Sequence, residues 1–126
     1  MQPNLITDMA RLHRYIELDG TACRWTVVPR GVADPLVPGP TDTVLWASID
    51  LAPKAWAALG APVSPSESLR VPEAIAALIA PALPKDGADR IATGPSYPVA
   101  AQVRNPYAAE TGVRVGDALV VALYSR

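Results

Sequence analysis

Two stretches, Thr21-Ala-Cys-Arg-Trp-Thr-Val-Val28 and Thr43-Val-Leu-Trp-Ala-Ser-Ile-Asp-Leu51, decide how this chain folds. In the first, Cys23, Trp25 and Val27 alternate with Arg24 and Thr26, the two-residue period of a half-buried strand. The second is apolar on both parities, which suits a strand covered on both faces. Between them, Pro29 to Thr41 carries four prolines and two glycines. Neither a helix nor an interior strand survives that density of missing donors and turn formers. The two stretches therefore read as antiparallel partners joined by a long excursion, residues 29–41.

Upstream, Leu5, Met9, Leu12 and Ile16 fall at spacings of four, three and four, one apolar stripe of a helix over residues 4–19 that stops at Asp19-Gly20. Downstream, Pro53, Pro62 and Pro65 bracket Lys54 to Leu59, so residues 52–67 read as a long loop holding at most two helical turns, with Trp56 equally suited to its surface or to the domain's own core. Ser68 to Val71 reads as a short strand. Pro72-Glu73 opens a helix through Ala80, because proline fits a position whose donor has no partner and an acid favours the first turn. Ala88 to Thr93 and Tyr97 to Val103 read as strands joined by a tight turn at Gly94-Pro95. Ala118 to Tyr124 reads as a last, strongly apolar strand after the Gly116-Asp117 turn. The expected architecture is one mainly β domain spanning residues 1–126: a small antiparallel barrel or sandwich of five or six strands over residues 21–126, with an N-terminal α-helix and a short internal helix.

Half of the 126 residues are hydrophobic, enough to build one core without disulfides. Eleven basic against twelve acidic residues give a net charge of -1, with no basic stripe for sequence-specific nucleic-acid binding. The first nineteen residues lack the apolar run of a signal peptide, and no stretch reaches the roughly 18 apolar residues of a membrane span. The single cysteine is neutral to mildly supportive of a reducing compartment. A soluble protein with no membrane partner is expected.

Chemistry has few candidates. A Cys/His hydrolase would use Cys23 as nucleophile and His13 as base, with Asp19 or Asp42 orienting the ring. Cys23 sits mid-strand beside Trp25, where cysteine usually serves as a small core residue. One His and one Cys give no zinc spacing, and no phosphate-cradling glycine motif is present. Asp86 and Asp89, flanked by Lys85, Gly87 and Arg90, read as a solvated turn. No catalytic residue, metal ligand or cofactor is therefore expected.

Two resemblances follow from longer stretches. Asn105-Pro-Tyr-Ala-Ala-Glu-Thr-Gly-Val-Arg-Val-Gly-Asp-Ala-Leu-Val120 resembles the part of bacterial PDZ domains where a short helix leads through a Gly-Asp turn into a core strand. That implies a peptide-binding adaptor with its groove beside Val113 to Leu123. Across most of the chain, the N-terminal helix, the strand Thr21 to Val28 with its Pro/Gly-rich excursion and the returning strand Thr41 to Asp50 are similar to the small head-tail joining proteins of tailed phages. Lys85-Asp-Gly-Ala-Asp-Arg-Ile-Ala-Thr-Gly-Pro-Ser-Tyr-Pro-Val99 looks like the strand, Gly turn and Tyr-x-Val hairpin of that class. This second resemblance implies a non-enzymatic virion protein of the neck, adaptor, stopper or head-completion type, present in the host cytoplasm during assembly. It would form a homo-oligomeric ring between portal or adaptor and tail proteins. Leu36, Val37, Trp56 and Tyr107 are the candidates for contacting neighbouring subunits.

Overall fold

The computed structural model describes residues 5–18, 20–29, 43–81, 83, 89–104 and 107–125. Its two founding strands, β1 (Gly20–Pro29) and β2 (Thr43–Leu51), pair antiparallel from Ala22 opposite Asp50 to Pro29 opposite Thr43. The remaining elements are α1 (Met9–Leu12), α2 (Pro53–Leu59), β3 (Val63–Pro72), α3 (Glu73–Ile79), β4 (Asp89–Pro98), β5 (Tyr107–Ala108), β6 (Thr111–Val115) and β7 (Ala118–Ser125). The strands form one antiparallel sheet in the order β1-β2-β7-β6-β4-β3, and β5 adds to the end of β7. The protein is thus mainly β, with a short helix near the N-terminus and short internal helices. Its sheet is open: among the described residues no ladder joins the terminal strands β1 and β3.

The apolar residues of β2 on both parities divide the core in two. Leu45, Ala47 and Ile49 join Cys23 and Trp25 of β1 and Leu119, Val121 and Leu123 of β7 on one face, which α2, the N-terminal segment, Val99 and Tyr107 cover. Val44 and Trp46 join Val120, Ala122, Val113, Ala92 and Val71 on the other, under Ile75, Ala76 and Ile79 of α3. Each buried isoleucine of α3 contributes about 2 kcal/mol of apolar burial. α3 touches β1 and β2 on one side and β3 and β4 on the other. The end strands of a flat six-strand path would lie about 24 Å apart, too far for one helix to touch both. The sheet therefore curls round α3.

Five readings of the sequence change. The helix expected over residues 4–19 is one turn, Met9–Leu12, with Asp8 accepting from the Arg11 amide at 3.1 Å as its cap. Ile6 exchanges two backbone hydrogen bonds with Trp25 (2.8 and 2.9 Å), which ties the chain ahead of α1 to β1 at that one residue. Ile16 likewise bridges Val103. The apolar stripe is buried at Leu12 and Ile16, while Leu5 stays exposed. The loop expected over residues 52–67 instead holds α2, begun by Pro53 at its first turn and ended at Gly60 (φ 87°), and the start of β3. β3 accepts Pro65 because it is a sheet edge and its register shifts between Val63 and Glu67.

The Gly94-Pro95 turn is absent: β4 runs through it, pairing β3 along residues 89–94 and again at Ser96, and β6 along residues 96–98. Gly94 permits the crossing, since a Cβ there would lie 2.7 Å from the Arg114 carbonyl oxygen. The hairpin strand expected from Tyr97 to Val103 ends at Pro98, and Gln102 and Val103 turn back by donating to the Val99 carbonyl. Finally, residues 107–115 form strands where the PDZ resemblance implies a short helix. The Gly116-Asp117 turn itself is present, with Gly116 at φ 61° and Val115 opposite Ala118.

Candidate functional site

The excursion between β1 and β2 leaves and returns at a single point, the Pro29–Thr43 pair. Leu36 and Val37 belong to residues 30–42, outside the described residues. Its base is well fixed. The Thr43 hydroxyl lies 3.0 Å from the Tyr107 hydroxyl, a hydrogen bond across 64 residues of chain. Tyr107 meets Tyr15 edge to face (5.2 Å, 85°), and Tyr15 meets Trp25 in the same way (6.1 Å, 67°). The Trp25 indole N–H donates to the Asp8 carbonyl at 3.2 Å. β5 clamps Tyr124 and Ser125, while Val44 pairs with Tyr124 from the other side. Tyr107 is therefore buried support for the foot of the excursion, and its side chain is not a surface for neighbours.

Trp56, for which the sequence left surface contact and core equally open, is also buried. The apolar spacing Ala55, Trp56, Leu59 turns this side of α2 onto the sheet. Its ring tilts against Tyr97 (4.8 Å, 53°), and the Arg114 guanidinium sits 4.3 Å from its centroid. Arg114 also donates from Nε to the Gly116 carbonyl (2.9 Å) and from a terminal nitrogen to the Tyr97 hydroxyl (3.4 Å), and it lies 3.9 Å from Asp117. An open depression of about 590 Å³ runs past this stack, lined by Thr21, Asp50, Pro53, Trp56, Arg114 and Asp117. It offers two exposed carboxylates, Asp50 and Asp117, and an arginine already committed to its own neighbours. Sequence reasoning missed this corner because Trp56, Tyr97 and Arg114 come from three distant elements. The only local signal was Arg114 alternating with Val113 and Val115 in β6.

The Cys23 and His13 side chains each serve the backbone. The Cys23 thiol donates to the Thr7 carbonyl at 3.6 Å, and His13 Nε2 donates to the Leu18 carbonyl at 2.9 Å. Burial, then the charges of Asp8 and Asp50, push the thiol pKa up, opposite to the depression that activates a nucleophile. Among the described residues no group of three potential metal ligands occurs, and no helix is long and apolar enough to cross a membrane. Asp19, Asp42 and Asp86, and the side chain of Asp89, lie outside the description. Beside Val113 to Leu123, where the peptide groove was expected, the chain's own strands occupy much of the edge: β7 is paired by β2 along residues 118–124 and, on its other side, by β6 at 118–120 and β5 at 124–125, and β6 is paired by β4 along residues 111–113. No family model, curated protein or solved structure matches the chain.

Proposed function

We propose that this protein is a structural subunit of the head-tail connection of a tailed phage, assembling with copies of itself into a ring that meets portal or adaptor proteins on one side and tail proteins on the other. The observation that carries the reading is the anchored excursion. A proline-rich segment leaves a rigid sheet at one pair, Pro29 opposite Thr43, and that pair is braced from below by Tyr107, Tyr15 and Trp25. The prolines in the sequence of residues 30–42 restrict its backbone in the unbound chain, which lowers the cost of docking on a neighbour. Closed cyclic symmetry lets one small subunit present two different faces and leave a central opening. The phage assignment rests on the part of the resemblance formed by the strand Thr21 to Val28, its proline-rich excursion and the returning strand Thr41 to Asp50.

Light scattering on size-exclusion fractions, alone and after mixing with purified portal rings, tests the proposal. The intact chain is expected to form a ring or to join the portal. A variant with residues 30–42 replaced by Asn-Gly, a two-residue hairpin turn, is expected to keep the circular-dichroism spectrum and melting cooperativity of the parent while losing assembly. An intact chain that stays monomeric and binds neither portal nor tail protein would sink the proposal. So would a shortened variant that assembles as well as the parent.

A further inference from the structure

Among the described residues, Arg90 is the one charged residue that is buried, with 6% of its surface exposed. It lies on β4 opposite Val71 and two residues from Ala92, both fully buried, so the strand period turns it toward the cluster under α3 while Ile91 faces out. Its Nε has no hydrogen-bond partner, and no described carboxylate pairs with its guanidinium. Arginine cannot escape this situation by losing its proton. An uncompensated cation in an apolar setting is strongly unfavourable, and the same low dielectric strengthens its attraction for an anion. The planar fork of the guanidinium matches two oxygens of a carboxylate or a phosphate. With 6% of its surface exposed, Arg90 is not wholly sealed from solvent.

A second orphan isolates the effect of charge. Thr26, on β1 opposite Trp46, faces the same α3 side, is 1% exposed, and has a hydroxyl with no partner. It is neutral, and leaving it unpaired costs far less than leaving a cation unpaired.

We infer that Arg90 is an oxyanion-binding position, taking a carboxylate or phosphate group at the margin of the α3 cluster, independently of the assembly reading. The test compares melting of the full chain in sodium phosphate, sodium acetate and sodium chloride at matched ionic strength. Phosphate or acetate at ten times its dissociation constant is expected to raise the melting temperature by about 4 °C over chloride. A larger response to phosphate assigns a phosphate-bearing ligand, and a larger response to acetate a carboxylate. Arg90→Met is expected to abolish the response while melting in chloride no lower than the parent, because it removes the unpaired charge. Thr26→Val is expected to keep the response.

Arg90→Lys, which retains charge without the fork, covers the case in which Arg90→Met does not fold, and is expected to respond at least threefold less than the parent. The Arg90 Nε–Hε resonance, followed by NMR through the same titrations, reads the site without any substitution. No shift of that resonance in either anion would overturn the inference. Equal melting responses in the parent and Arg90→Met, or in the parent and Arg90→Lys, would do the same.

Discussion

The two faces of this one sheet are covered in opposite ways. On the first, the cover is assembled from pieces: the N-terminal segment, α2, Val99 and Tyr107 each bury part of the surface, and aromatic residues tie the pieces together through polar tips. On the second, α3 lies in the hollow of the curled sheet with aliphatic side chains and touches strands from both of its ends. A distributed cover spreads the loss of any one contact over independent segments. A single central helix concentrates it, so the second face is where small deletions are expected to cost most.

The largest effect is therefore expected from Ile79→Ala. Ile79 is 1% exposed at the end of α3, and its truncation leaves a cavity that neither half of the curled sheet can close alone. Urea unfolding is expected to show a loss of about 3 kcal/mol. A loss below about 1 kcal/mol would mean that α3 repacks freely and that the contrast between the faces is false. On the first face, Trp56→Leu is expected to cost about 1.5 kcal/mol, less than its size suggests. The substitution removes an indole N–H that is buried without a partner, and this relief offsets part of the lost packing against Tyr97 and the lost stacking with Arg114. A loss above about 3 kcal/mol would show that Trp56 organises the first face as α3 organises the second.

Tyr107→Phe probes the foot of the excursion with one atom. Its expected cost is about 1 kcal/mol, the worth of a buried hydroxyl hydrogen bond. Amide exchange is expected to quicken at Thr43 and Val44 and to stay unchanged in α3. Faster exchange spread evenly through both faces would contradict a local bracing role.

The alternation of β1, the two-sided apolar pattern of β2, the Pro72-Glu73 helix start and the Gly116-Asp117 turn were all legible in the sequence, because each is decided within ten residues. What was not legible depended on distant partners. The Leu5, Met9, Leu12, Ile16 stripe reads as a helix until Ile6 finds Trp25 and Ile16 finds Val103. Gly94-Pro95 reads as a turn until β3, paired on both sides of it, and β6, paired from Ser96 on, hold β4 as one strand. Trp56 and Tyr107, read as surface anchors, are drawn inward by Tyr97 and Arg114 and by Tyr15 and Thr43, from 41 to 92 positions away along the chain. The same holds for Arg90: its flanking acids and glycine suggest a solvated turn, whereas its strand parity, fixed only by pairing with β3, turns it inward.

The smallest effect lies at the rim of the first face, where Glu17 and Arg104 join the N-terminal segment to the turn before β5. The Arg104 hydrogen bond, then its charge, lower the Glu17 pKa from its ordinary value. Because the folded value is depressed, the pair contributes its stability above the unfolded pKa, about 4.3, and loses it as pH falls through the folded value. Both side chains are more than half exposed, so screening leaves the contribution small. An NMR titration is expected to place the Glu17 midpoint below the ordinary glutamate range and to return it there in Arg104→Ala, with no measurable change in melting temperature at pH 7. A melting temperature that drops by several degrees in Arg104→Ala would show that this exposed pair, and not the buried packing behind it, holds the pieces of the first face in place.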